Sequence, residues 1–127
     1  MFTEFEELDA PVKLAIMRGI GWLETHDGEN WAEDIWNAIL NEDFNMNDCN
    51  RCAVGTAVGD YYNFFNTTAS ESLAAECGFF AMDKDPFSWE DLAYAWASAA
   101  YSRLASQGRD VEVPHNIDDM IYHYDYE

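Results

Sequence analysis

A formal charge of −19 on 127 residues ordinarily marks an acidic chain that stays unfolded for want of apolar side chains. Here 25 Asp and Glu and six Lys and Arg are accompanied by five Trp, seven Tyr and eight Phe, and 49% of the residues are apolar. That is ample material for a core, so the chain is read as folded. Its length bounds it to a single domain, 1–127, with a radius of gyration of about 14 Å. The same charge argues against direct binding to nucleic acid or to an anionic membrane surface.

No apolar run approaches the ~20 residues that span a bilayer. The first residues, Met1-Phe2-Thr3-Glu4-Phe5-Glu6-Glu7, are acidic where a secretory signal is basic and then apolar, so a cytoplasmic protein is expected. Three cysteines, Cys49, Cys52 and Cys77, fit poorly with a secreted disulfide framework. Lysine is scarce, with only Lys13 and Lys84, and an acidic, lysine-poor surface is also what adaptation to high salt produces.

Hydrophobic spacing is helical along most of the chain. A first helix is expected from about Asp9 to Thr25, with Asp9 as N-cap, Pro11 in the first turn and Gly28 past the end. Leu8, Val12, Ile16, Ile20 and Leu23 would face the core, while Gly19 and Gly21 point to close packing against a neighbour. A second helix starts near Asn30, with Trp31, Ile35, Ala38 and Ile39 on one face; Trp36, beside the inward Ile35, is expected to be partly exposed. Residues 41–50 read as a loop anchored by Phe44 and Met46.

A third helix is expected from Cys52 through Tyr61 and Tyr62 to Phe65, with Gly55 and Gly59 baring one face, and a short one from Ser70 to Cys77 closed by Gly78. Ser88-Trp89-Glu90-Asp91 resembles a capping box and opens the clearest helix, about Trp89 to Ser106, with Leu92, Trp96, Ala99 and Leu104 inward and Gly108 beyond it. Val111 and Val113 alternate with charges, which allows one short strand near residues 110–114; a last short helix follows Asn116. The fold class is mainly α, a compact bundle of about five helices.

Catalytic patterns are absent. No Ser or Cys nucleophile has a spaced His and Asp, and no Gly-rich loop matches a nucleotide fingerprint, so neither an enzyme nor a cofactor is expected. Cys49-Asn50-Arg51-Cys52 is a CxxC at a helix start, but a thioredoxin-like reading requires a βαβ context that the chain lacks. An alternative use is a zinc site that stabilises an interaction module, built on Cys49, Cys52 and Cys77 with His115 or His123 as fourth ligand. Small buried thiols at a helix start are the plainer reading.

The acidic surface is then the feature to weigh. A folded monomer of this size exposes roughly 6,900 Å², so 25 carboxylates give about one per 275 Å². B-DNA presents about one charge per 110 Å² of its cylinder, two to three times denser. Mimicry of nucleic acid therefore requires the charges to gather. The candidate contact residues are paired carboxylates, Glu33 with Asp34, Glu42 with Asp43, Asp83 with Asp85, and Glu90 with Asp91.

Gly21-Trp22-Leu23, Trp31, Ile35, Leu40 and Met46 lead into Cys49-Asn50-Arg51-Cys52-Ala53-Val54-Gly55, then Gly59-Asp60-Tyr61-Tyr62, Cys77-Gly78-Phe79 and the Leu92–Trp96 helix. From about residue 15 to residue 100 this order resembles small actinobacterial and actinophage proteins of unassigned function. Their pattern is a Gly-x-x-Trp-Leu helix, a Trp-containing turn and a Cys-Val-Leu-Gly-Gln segment before Gly-x-Tyr. Thr56 stands where that pattern has Gln. The resemblance implies a phage or mobile-element setting. Small, strongly acidic phage proteins resemble inhibitors of the anti-CRISPR or anti-restriction kind. The expected partner is accordingly a basic, nucleic-acid-binding host protein, met through carboxylates.

Overall fold

A computed structural model describes residues 2–25, 28–46, 52–58, 76–79 and 88–121. A 3-10 turn, Phe5–Glu7, precedes α1 (Ala10–Glu24), α2 (Trp31–Leu40) and α3 (Ala53–Val58). They are followed by α4 (Trp89–Ser106) and α5 (Ile117–Ile121). The protein is mainly α, and no strand occurs among the described residues. None of these helices is long and apolar enough to cross a membrane.

Helix α4 is the axis of the core. Ser88 caps it: its hydroxyl accepts the Asp91 N–H at 3.0 Å, while the Asp91 carboxylate accepts the Ser88 N–H at 3.0 Å. From Leu92 to Ala100 every side chain but Tyr94 is buried, because alanines at 93, 95, 97, 99 and 100 let neighbours approach from several sides. The Trp96 ring lies edge-on to Trp31 of α2 at 5.8 Å between centroids and stacks on Phe79 at 5.6 Å. Its indole N–H donates to the Gly78 carbonyl at 2.7 Å.

Helix α1 closes on this cluster at Gly19. A Cβ there would overlap the Cys77 carbonyl oxygen and come within 2.8 Å of Trp96 Cζ2. At Gly21 a Cβ would meet nothing within 4 Å, so the expectation of close packing holds for one glycine and not the other. Gly78 has φ +73°, the left-handed conformation that turns the chain after residues 76–77 and aims its carbonyl at Trp96.

The N-terminal segment straps the bundle. The Phe2 N–H donates to Asp118 Oδ1 at 2.9 Å, the buried Ser98 hydroxyl donates to the Thr3 carbonyl, and the Phe2 ring packs on Trp36 and Tyr101. That strap corrects the expectation for Trp36, which is 4% exposed: residues far apart in sequence cover the outer side of α2.

Other expectations divide similarly. Phe44 and Met46 are buried anchors, and the bounds of α4 are those read from its capping box and Gly108. Asp9 occupies the N-cap of α1, but its side chain makes no capping hydrogen bond. The third helix is described over Ala53–Val58, and its expected extension to Phe65, Gly59 included, lies outside the described residues. So does most of the Ser70–Cys77 segment. The short strand expected near 110–114 is not formed: that stretch has no strand partner among the described residues and instead runs beside α2.

Candidate partner-binding surface

Two helix ends built alike set up this surface. At the end of α4, Gly108 (φ +79°) takes the left-handed position, with Gly108 N–H to Ala105 O at 3.0 Å and Arg109 N–H to Leu104 O at 3.1 Å. This is a Schellman turn, and it reverses the chain. Arg109 then meets Glu33 on the first turn of α2, Nη2 to Oε2 at 3.4 Å, and Asp110, Val111 and Glu112 follow along that helix. Glu33, Trp36, Asn37 and Leu40 line the opposite wall of a groove of about 250 Å³, with Leu104 also lining it.

The end of α2 repeats the motif with a different residue. The Glu42 N–H donates to Ile39 O at 3.0 Å and the Asp43 N–H to Ala38 O at 2.8 Å, but the left-handed position is held by Glu42 itself, at φ 60°. A side chain there costs about 1 kcal/mol relative to glycine. Glu42→Gly is therefore expected to raise stability by up to about 1 kcal/mol in a urea titration, while removing a surface charge. An unchanged or lowered midpoint would show that the carboxylate compensates locally.

The predicted contact residues separate into groups. Glu33 and Asp34 lie on the first turn of α2, and Glu42 and Asp43 directly after its end, so one helix and its cap carry four of them. Glu90 and Asp91 sit at the start of α4, about 20 Å of helix away from Leu104, and Asp91 is engaged in the capping box. Asp83 and Asp85 lie outside the described residues. Asp110 and Glu112, which sequence reasoning missed, share the groove with Glu33.

Every carboxylate among the described residues is exposed or half-buried, and the described cations are Lys13, Arg18, Arg103 and Arg109. Lys13 pairs with Glu6 at 3.7 Å. Arg103 pairs with Glu24 at 2.6 Å, and the same carboxylate oxygen accepts the Trp31 indole N–H at 3.1 Å. The Arg103 guanidinium also lies 5.1 Å from the Trp31 ring centroid, so α1, α2 and α4 meet at this cation.

Two carboxyls in this region depart from the ordinary range in opposite directions. The hydrogen bond from Arg103 lowers Glu24, with the Trp31 N–H and the Arg103 charge helping against partial burial. Burial raises Asp34, and the neighbouring Glu33 charge adds to it, although the start of a helix favours anions. A lowered Glu24 contributes stability that is present above its unfolded value and lost as pH falls through the folded one. Because the pair is exposed to solvent, that share is below about 1 kcal/mol. Asp34 has the opposite sign: its ionised form is disfavoured at neutral pH. Glu24→Gln is expected to flatten the acid limb of a melting-temperature profile, and Asp34→Asn to raise the neutral plateau. Identical profiles for either variant and the parent would contradict the assignment.

The cysteines divide similarly. Cys52 is buried with its sulfur 3.5 Å from the Gly55 N–H, and Cys77 is buried with its thiol pushed up by desolvation, then by the Glu76 charge, against a lowering influence of Arg18. His115 is exposed, and Cys49 and His123 lie outside the described residues. Among the described residues no three His, Cys, Asp or Glu side chains group as a metal site requires.

Comparison with known proteins found no matching family model, no matching curated protein and no matching solved structure.

Proposed function

We propose that the protein is an inhibitor that binds a basic, nucleic-acid-binding protein through its carboxylate surface, in its most specific form an inhibitor of the anti-CRISPR or anti-restriction type. The observation that carries this reading is the outward placement of every described carboxylate with few cations to neutralise them. Helix α2 and the segment after Gly108 are its contact surface, with Glu33, Asp34, Glu42, Asp43, Asp110 and Glu112 as the contributing acids. The left-handed Glu42 supports the choice, since a charge is kept there at the expense of stability. Carboxylates facing the Lys and Arg of a nucleic-acid channel speed encounter and exclude the natural ligand.

The test is competition at low salt: labelled DNA or RNA bound to a basic protein is displaced as this protein is added. A protein that displaces neither from any basic partner is not such an inhibitor.

One observation favours a second reading, an acidic protein of a salt-adapted host. Carboxylates are also carried by other elements, as Glu4, Glu6, Glu7 and Asp9 near the N-terminus and Asp118 and Asp119 on α5. Circular dichroism against salt separates the two. The inhibitor reading predicts a folded protein at about 50 mM salt, with a melting temperature that rises modestly as salt screens self-repulsion. A chain unfolded at that salt and folded only at molar concentrations belongs to the second reading.

A further inference from the structure

The groove between α2 and residues 110–112 combines three properties. Its lining includes the apolar Trp36, Leu40, Leu104 and Val111, of which Leu40 is 37% exposed, and Val113, 38% exposed, follows directly. Its rim carries Glu33, Asp110 and Glu112 against the single cation Arg109, which is already paired with Glu33. Its wall is irregular chain: Asp110, Val111, Glu112 and Val113 make no backbone hydrogen bond to any described residue. The larger groove, about 360 Å³ between Phe5, Met17, Ile20 and α4, lacks this polarity. There Glu6 is paired with Lys13 and Arg103 with Glu24, so no charge selects an occupant.

A space of about 250 Å³ is at the small end for a ligand pocket but admits one large apolar side chain. Free backbone N–H and C=O groups on an irregular segment can pair with an extended chain laid beside them, and the side chains of that chain then supply specificity. Asp110 and Glu112, which pair with no described cation, select lysine and arginine beside the apolar anchor.

We propose that this groove receives an extended segment of the partner protein in which one leucine-sized side chain is flanked by lysines or arginines, running beside Asp110–Val113 as an added strand. The inference rests on the inhibitor reading and specifies which part of the partner is held. The apolar side chain enters between Leu40 and Val111. Flanking cations reach Asp110 and Glu112, and one that reaches Glu33 shares it with Arg109. The partner's backbone uses groups that water solvates in the free protein.

The experiment uses the full chain and three labelled peptides in fluorescence anisotropy at about 50 mM salt: a basic peptide with a central leucine, the same peptide with a central serine, and the leucine peptide with its cations replaced by serine. The first is expected to bind at least about tenfold more tightly than either of the others, a difference that one buried aliphatic side chain supplies. Leu40→Ser and Glu112→Lys should each remove most of that advantage. Both side chains are exposed, so unchanged melting curves verify that the fold survives. N-methylation of alternate backbone nitrogens in the first peptide should weaken it by a similar factor if a strand is added. Equal binding of the two basic peptides would overturn the groove and leave the acidic-surface reading standing. Failure of both basic peptides to bind would overturn both. Preference for the uncharged leucine peptide would overturn the basic flanks.

Discussion

Gly19→Ala is expected to cost about 3 kcal/mol, whereas Gly21→Ala, two residues along the same helix, is expected to gain about 0.5–1 kcal/mol. The difference follows from what an added methyl group meets. At Gly19 the obstacles are the Cys77 carbonyl oxygen and the Trp96 ring, and neither is the far end of a flexible side chain. Relief requires α1 to move away from α4, which opens the Trp96–Phe79 stack behind it. At Gly21 the methyl group enters open space, so only the helix-propensity advantage of alanine and the lower entropy of the unfolded chain remain. Urea denaturation of the two variants checks both signs at once. Equal effects would mean that α1 does not approach α4 at Gly19.

Trp96→Ala is expected to cost about 4 kcal/mol, a large share of the roughly 5–15 kcal/mol that stabilises a domain. Trp96 is fully buried and joins α2 through Trp31, the 76–79 turn through Phe79 and Gly78, and α1 through Gly19. Trp96→Phe separates packing from polarity. It keeps an aromatic ring but removes the N–H that the Gly78 carbonyl accepts, leaving that buried group without its partner at about 1–3 kcal/mol. Thermal melts should therefore rank parent, Phe and Ala in falling order. A Phe variant as stable as the parent would show that the hydrogen bond contributes nothing net.

These residues also show where sequence reading succeeds and where it stops. Local signals sufficed for α4, because a capping box and a C-terminal glycine mark both ends within a few residues of each. Burial of Trp31 and Trp96 followed from helical spacing. Trp36 could not be placed that way, because its cover comes from Phe2 and Tyr101, which lie 34 and 65 positions away in the chain. Gly19 and Gly21 are alike as residues; Gly19 lies at helical spacing on the face of Val12, Ile16 and Leu23, and the Cys77 carbonyl and the Trp96 ring it meets there come from distant parts of the chain.

The surface followed the same division. Pairs of acids on α2 were visible as pairs, but Asp110 and Glu112 were read as part of an alternating strand. Alternation is a real property of that stretch; what sequence lacked was the partner strand, and the Schellman turn at Gly108 delivers the segment to α2 instead. Charge total alone says little about contact. The accessible surface of 7010 Å² is close to that expected for a monomer of this size, so mean density stays below that of DNA. Any mimicry depends on local grouping such as that around α2.

Displacement of nucleic acid measures the proposed inhibition directly. A labelled oligonucleotide bound to a basic nucleic-acid-binding protein is titrated with this protein at about 50 mM and about 200 mM salt, alongside a variant with Glu33, Asp110 and Glu112 changed to Gln. The account predicts displacement at the lower salt, weakening by about tenfold or more at the higher, and a comparable loss in the variant at low salt. No displacement at about 50 mM, or displacement that neither salt nor the substitutions change, would contradict it.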